Sequence, residues 1–258
     1  MTKRTRAPTP AQAPVEPMPY AELARMFFSH QTPQSIAVNT LTEQILMLNM
    51  LTVDLRLLMR LIQLRTDVAS QQPMYWAQPM LEQLIRARLI DIRKLTEPHK
   101  PDQPALHTLA FPHLLYLLGA HQASATQQTL LQAIAQTVAA QHHAHAYLVN
   151  KYIVHAATIT SRNTTKTTET TASVTTVWQS VLVLNHVFQA LYRYVQSEND
   201  MMAYPCTLRE HLHDMQRYFL LSESEQVHLR EVLTTSMADL DAIQSRTAAA
   251  PWAVHTAQ

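Results

Sequence analysis

Residues 34–68 read QSIAVNTLTEQILMLNMLTVDLRLLMRLIQLRTDV and contain a helical repeat of large apolar residues. The repeat has intervals of three, four and seven residues and comprises Leu41, Ile45, Leu48, Leu55, Leu58 and Ile62. Residues at these intervals share one face of an α-helix, so the segment is predicted to be one long helix with a buried face. Met47, Met50 and Met59 widen that face. Such a helix has to be covered on more than one side, by other helices of its own chain or by a second subunit.

The composition extends the helical prediction to the rest of the chain. The 258 residues include a single glycine, whereas β-sheet proteins need glycine in hairpins and bulges. The apolar share of 47% is enough for a substantial core. We therefore predict an all-α fold, an up-and-down bundle of long helices. The formal net charge of +1 gives no overall attraction to nucleic acid or anionic membranes.

Changes in composition divide the chain into three predicted regions. Residues 1–19 carry five prolines and few large apolar groups, so we expect a disordered tail. Residues 20–246 are predicted to form a single helical domain, and residues 247–258 to be a frayed tail of small residues. Within the domain, residues 158–176 are rich in threonine, which is poor in helix interiors, and are predicted to be a connecting loop.

Several helix ends are also predicted from local signals. Ser124 is expected to cap a helix that runs to about residue 157, and Ser222 with Glu225 forms a capping box for the last helix. Gly119 stands where a left-handed C-cap is expected. The long helix carries a loose basic stripe, interpreted as a solvated edge, which comprises Arg56, Arg60 and Arg65. The other predicted helices are residues 20–29, 74–95, 108–119, 177–197, 208–221 and 223–244.

The sequence also bears on localisation. A single cysteine, Cys206, rules out an internal disulfide and fits a reducing compartment. The basic N-terminus leads into proline-rich sequence without the apolar core of a signal peptide. No run of about 18 apolar residues is present, so no membrane span is predicted. We expect a cytoplasmic protein.

The polar residues best arranged for chemistry lie at 141–158, QHHAHAYLVNKYIVHAAT. Lys151 and His155, four residues apart, share one face of a helix. Histidine titrates near neutral pH, so beside a fixed cation it could move a proton to or from a phosphate ester. Histidines and lysines of long amphipathic helices are more often solvated or satisfied surface groups, and both interpretations stay open here.

The three histidines at the start of this segment suggest a zinc hypothesis. Zinc needs three or four converging ligands, and of His142, His143 and His145 only the first and last share a helix face. No paired cysteines and no nearby carboxylate complete a site. We therefore expect no metal. No cofactor is expected either, since there is no glycine-rich loop to bind phosphate.

Two stretches resemble parts of the HEPN superfamily, helical proteins of prokaryotic defence and toxin–antitoxin systems. The run VNKYIVHAA at residues 149–157 resembles the Arg-Asn-Lys-x-x-Ala-His stretch of that superfamily. Upstream, YWAQPMLEQLIRARLIDIRKLTEPHK at residues 75–100 resembles a leucine-rich segment of the abortive-infection branch, which ends in Arg-Leu-x-Asp-Pro. Here that ending reads Lys-Leu-Thr-Glu-Pro. The order of parts agrees across about residues 36–195.

The resemblance implies a bundle that dimerises, with two copies of the motif across a cleft. In active members the arginine holds phosphate, and the histidine assists attack by the ribose 2′-hydroxyl or protonates the leaving oxygen. His155 matches the family histidine, Asn150 the polar residue after the arginine, and Lys151 the lysine that often follows. The arginine itself falls at Val149, which cannot bind phosphate, and Lys151 does not replace a bidentate guanidinium. Arg162 of the threonine-rich loop could fold back to supply it.

Two functional hypotheses follow. In the first, the chain is a HEPN-like protein of a defence or toxin–antitoxin setting, a metal-independent ribonuclease or RNA-binding protein that uses His155 with Asn150 and Lys151. In the second, it is a catalytically inert helical module for dimerisation or interaction. The expected partners are a second copy of the chain, RNA and an antitoxin protein, without a membrane. The missing arginine favours the second hypothesis, and the shared face of Lys151 and His155 favours the first.

Overall fold

The computed structural model describes residues 33–68, 77–100, 110–119, 124–149, 173–196 and 208–248. Within these ranges the chain forms seven α-helices and no strand, which confirms the predicted all-α helical bundle. The helices are α1 (Pro33–Val68), α2 (Ala77–Thr96), α3 (Phe111–Gly119), α4 (Ala125–Leu148), α5 (Val174–Gln196), α6 (Leu208–Phe219) and α7 (Glu223–Ala248).

Helix α1 contacts four other helices of the bundle, α2, α3, α5 and α7. Its predicted apolar repeat is buried except for Ile62, which is partly exposed. Helices of the same chain therefore cover the wide apolar face, which is one of the two alternatives that the sequence left open. Met47, which is 51% exposed, lies outside the covered face. The homodimer stays a prediction.

A reciprocal pair of amides joins α1 to α5 inside the core. Asn49 Nδ2 donates to Asn185 Oδ1 at 2.8 Å, and Asn185 Nδ2 donates to Asn49 Oδ1 at 2.6 Å. Asn185 Nδ2 also lies 2.8 Å from the carbonyl oxygen of Val181. Both side chains are almost completely buried, so each amide depends on the other to satisfy its polar atoms. The pair fixes the register of the two helices against each other.

The predicted helix caps are present. The Ser124 hydroxyl accepts from the Gln127 N–H at 3.4 Å, and Gln127 Oε1 accepts from the Ser124 N–H at 2.8 Å. Ser222 and Glu225 form the equivalent box at the start of α7, with distances of 2.7 and 3.3 Å. Helix α5 begins at Val174, three residues earlier than predicted, because the Ser173 hydroxyl accepts from the N–H of Thr176 and caps the helix.

The left-handed C-cap lies at a different residue from the one predicted. Gly119 ends α3 without a positive φ, so that prediction is wrong. Leu220 instead takes the left-handed conformation, with a φ of 48°, directly after α6. The N–H of Leu221 donates to the carbonyl of Gln216 at 3.4 Å, which is the hydrogen bond of a Schellman motif. Leu221 is buried and holds this turn in place.

Two of the three residues in the basic stripe of α1, Arg56 and Arg65, do not form a solvated edge. Arg65 Nε donates to Glu225 Oε1 at 2.8 Å, and its Nη2 donates to the Phe219 carbonyl at 2.7 Å. Arg56 stacks over the Trp178 ring, with its guanidinium carbon 4.4 Å from the ring centroid, and pairs with Asp239 at 3.6 Å. That prediction is wrong for both residues, because α5 and α7 bring acidic and aromatic partners to them.

Two further predictions concern the limits of the chain and the membrane. Helix α7 runs four residues beyond the predicted end at 244, into the region predicted to fray. The predicted tail at 1–19, the predicted helix at 20–29 and residues 158–172 of the threonine-rich loop lie outside the described residues. Among the seven helices described, none combines the length and hydropathy of a transmembrane segment.

Candidate functional site

The histidine-rich stretch at residues 141–158, here called the motif segment, is described as far as residue 149. This described half forms the C-terminal part of α4 and the residue that follows it. This helix contacts α2, α3 and α5. Its last turns therefore bring residues 141–149 against the end of α2 on one side and against α5 on the other. We call the group formed by Arg93, Thr96, Glu97, His142 and His143 the α2–α4 polar cluster.

His142 is the half-buried centre of the α2–α4 polar cluster. Its Nδ1 lies 3.4 Å from Thr96 Oγ1. The Thr96 hydroxyl lies 2.9 Å from the carbonyl of Ile92 and donates there, so it can accept from an Nδ1–H of a neutral His142. Burial lowers the pKa of His142, and the charges of His143 and Arg93 lower it further, while Glu97 opposes the change. His142 is therefore mainly neutral at pH 7.

Arg93 supplies a cation beside this neutral imidazole. Its Nε is buried and has no hydrogen-bond partner in the described ranges, and the same is true of Gln141 Oε1 on α4. A buried polar atom without a partner costs about 1–3 kcal/mol, so this contact between α2 and α4 is imperfectly satisfied. A neutral imidazole near a guanidinium is a combination that can contact a phosphate and transfer a proton.

His145 lies on the other side of α4 and is part of the core. Its Nε2 lies 2.7 Å from Ser180 Oγ on α5. A serine and a histidine at this distance can form a nucleophile and its base. Here both are sealed, with 4% of His145 and 6% of Ser180 exposed. Burial lowers the pKa of His145, so the neutral ring fits the core, and the contact holds α4 to α5.

The three histidines do not converge on a common point. His142 turns to α2 and His145 to α5, while the His143 ring is exposed and meets His142 edge-on at a centroid distance of 6.0 Å. No group of three potential metal-binding side chains occurs among the residues that the structure describes.

Val149 follows the last residue of α4 and keeps helical dihedral angles, with φ of −63° and ψ of −46°. Its N–H donates to carbonyls of the preceding turn, and its side chain is 0% exposed. The position at which the HEPN resemblance implies an arginine therefore lies in the hydrophobic core. Asn150, Lys151 and His155 lie outside the described residues, as does Arg162.

Sequence reasoning missed the partners from other helices. Nothing in the sequence pairs Arg93 or Thr96 with His142, because the contact depends on how α2 packs on α4. The burial of His145 did have a signal. Ile134, Val138, His145 and Val149 follow one another at intervals of four, seven and four, which is the spacing of one buried helix face.

Comparison of the chain with models of protein families, with curated proteins and with solved structures finds no match.

Proposed function

We propose that this chain is a HEPN-like helical bundle that acts by binding another protein chain and does not cleave RNA. The observation that carries the proposal is the complete burial of Val149 at the end of α4. An arginine that holds a phosphate has to reach solvent, whereas this position faces the core. A charged residue could not be accommodated there without a partner.

The rest of the described motif segment supports the same proposal. His145 is satisfied by Ser180 inside the core and has no path to a substrate. His145 thus contributes to packing between α4 and α5, as a buried and hydrogen-bonded polar group usually does.

The resemblance to the HEPN superfamily suggests the setting. In a toxin–antitoxin or abortive-infection pair, a bundle without a nuclease site would work as the binding member, as a homodimer or with a cognate protein. The exposed apolar residues of the described helices are consistent with this role, and Met47, Tyr116, Tyr218 and Leu220 are each at least half exposed.

The proposal is tested by a ribonuclease assay of the purified chain with several RNA substrates, with and without EDTA. We expect no cleavage above that of a mock purification, and no difference between the wild type and His155→Ala. Metal-independent cleavage that His155→Ala abolishes would overturn the proposal. His228→Ala on α7 is the matched control, because this side chain is far from residue 155 in the sequence and pairs with Glu231 at 3.4 Å.

The second candidate is a metal-independent ribonuclease that uses His155 with Asn150 and Lys151. One observation favours it: Arg93 provides a guanidinium near the end of α4, just before the motif, where the sequence lacks the family arginine. In this candidate Arg93 would hold phosphate. Cleavage should then be lost in Arg93→Gln as well as in His155→Ala, and Lys94→Gln, an exposed neighbour, should retain it.

A further inference from the structure

A groove separates α6 from α1 and α2. Helix α6 packs mainly on α7, and the gap on its other side has a volume of about 380 Å³. The apolar side chains that line this α6 groove are Leu51, Leu55, Leu58, Leu84, Met215 and Phe219. The volume lies at the lower end of the range for binding pockets and is large enough for two or three apolar side chains.

The end of α6 presents large apolar residues next to the groove. Tyr218, which lines the groove, is 83% exposed, and Leu220, two residues later, is 86% exposed. Leu220 also has the positive φ that a leucine rarely adopts and that glycine or asparagine takes more easily. The exposed side chains of Tyr218 and Leu220 therefore offer apolar surface that a bound molecule would cover.

The charged side chains that line the groove indicate which charge a bound molecule carries. The carboxylates of Asp54 and Asp214 line the groove, together with the guanidinium of Arg88. The Arg88 charge is already paired, since its Nη2 lies 3.2 Å from Asp91 Oδ2. The carboxylate of Asp214 is exposed at the groove and has no ion pair among the described residues, so it favours a cationic group over an anionic one.

Arg88 adds a requirement for a hydrogen-bond acceptor. Its side chain is 12% exposed, and its Nη1 is buried without a hydrogen-bond partner among the described residues. A buried donor of this kind is stabilised by an acceptor, and a backbone carbonyl supplies one without adding negative charge. A peptide provides the carbonyl, the apolar side chains and the cation in one molecule.

We propose that the α6 groove binds a peptide segment of another protein that carries two or more large apolar side chains beside a lysine or arginine. This inference rests on the proposed function, because it gives the binding bundle its surface and its partner. The apolar side chains of the segment enter between α6 and the leucines of α1. Its basic residue pairs with Asp214, and one of its carbonyls accepts from Arg88.

A second concavity, of about 470 Å³, lies over α5 between α4 and α7. Its lining does not indicate the charge or chemical class of a bound molecule, as that of the α6 groove does. Its walls are mainly apolar, including Ile134, Leu182 and Ile243, with a few neutral polar side chains such as Gln179. Its one lining carboxylate, Asp239, already binds Arg56 and Trp178. The α6 groove therefore carries the inference.

The test uses fluorescence anisotropy with the full chain and a short labelled peptide of leucines and lysines at helical spacing. Two comparison peptides replace the lysines by glutamates or the leucines by alanines. We expect the leucine–lysine peptide to bind at least roughly tenfold more tightly than either. Asp214→Lys and Leu220→Asn should each weaken its binding roughly fivefold. Both positions are exposed, so both variants should fold, which circular dichroism would check.

Matched controls carry the same chemical changes elsewhere. Glu43→Lys on α1 repeats the charge reversal, and Val227→Asn on α7 repeats the loss of an exposed apolar side chain. Neither should alter peptide binding. Equal binding to all variants, or no binding to the wild type, would overturn the inference while leaving the ribonuclease test of the proposed function unaffected. A dimer in sizing chromatography that Asp214→Lys or Leu220→Asn dissociates would overturn it in favour of a second copy of the chain.

Discussion

Arg65 and Glu225 connect three helices through one ion pair. Arg65 Nε on α1 donates to Glu225 Oε1 on α7 at 2.8 Å, and Arg65 Nη2 donates to the carbonyl of Phe219 at the end of α6 at 2.7 Å. The other carboxylate oxygen of Glu225 accepts from the N–H of Ser222 at 2.7 Å. One guanidinium thus holds the turn between α6 and α7 against the long helix, next to the strained residue Leu220.

This ion pair predicts a dependence of stability on pH. The hydrogen bond from Arg65 lowers the pKa of Glu225 below its usual value of 4.5, and those from Ser222 add to this, while burial opposes it. The folded state then holds the proton less tightly than the unfolded state, so the stabilisation is present above about pH 4.5 and is lost as the pH falls. Glu225→Gln should reduce the free energy of unfolding by about 1 kcal/mol near neutral pH.

The measurement is urea denaturation of the wild type and Glu225→Gln at neutral pH and at about pH 4, where the difference between them should shrink. Glu223→Gln is the matched control, since Glu223 is exposed in the same helical turn and has no ion pair among the described residues. A difference that stays constant with pH would show that the carboxylate charge is not the stabilising feature.

The backbone of Leu220 predicts a substitution that stabilises the chain. A leucine with a φ of 48° costs about 1–2 kcal/mol, and its side chain is 86% exposed, so little burial would be lost on replacement. Leu220→Asn should therefore raise the free energy of unfolding by about 0.5–1 kcal/mol, since asparagine tolerates the left-handed conformation. Chemical denaturation would measure it. Leu220→Ala removes the same side chain but keeps the strain, and should give no comparable gain.

The contact between His145 and Ser180 predicts a second pH effect. Burial lowers the pKa of His145 below its usual 6.5, so the unfolded chain takes up a proton more readily than the folded one. Its contribution to stability is complete above about pH 6.5 and is lost as the pH falls below that value. His145→Gln keeps a polar group beside Ser180 but cannot titrate, so thermal unfolding should depend less on pH between about 5 and 6.5.

Two other variants complete that experiment. Ser180→Ala leaves the buried His145 nitrogen without its partner and should cost about 1–3 kcal/mol at neutral pH. His213→Gln, at an exposed position on α6, should leave the pH profile of the wild type unchanged. An unchanged profile for His145→Gln would mean that solvent reaches this ring in the folded state.

The features that the sequence predicted are those that depend on neighbouring residues. The apolar repeat of α1 and the capping boxes at Ser124 and Ser222 are set by spacings of a few residues along one helix. Such signals act within a single element and need no knowledge of which helices meet. The all-α class followed from them together with the scarcity of glycine.

The features that the sequence did not predict depend on contacts between distant segments. Thr96 and His142 are 46 residues apart, and Arg65 and Phe219 are 154 apart, so only the packing of the helices brings them together. The left-handed cap illustrates the same limit. Local rules assign it to Gly119, whereas the packing of Leu221 and the bond from Arg65 to Phe219 hold Leu220 in that conformation.

The burial of Val149 predicts the result of introducing the arginine that the HEPN resemblance implies at this position. Val149→Arg would bring a cation into the core, and the buried polar residues of the described ranges include no carboxylate to pair with it. We expect a loss of about 3 kcal/mol or more in the free energy of unfolding. Ala140→Arg, at an exposed position of the same helix, is the matched control and should change stability little.

Both variants should be assayed for RNA cleavage beside the wild type, and neither should cleave. If Val149→Arg instead kept the stability of the control and acquired a metal-independent activity that His155→Ala removed, residue 149 would have to face a cleft. The bundle would then be a ribonuclease that lacks one residue, and binding alone would not describe its function.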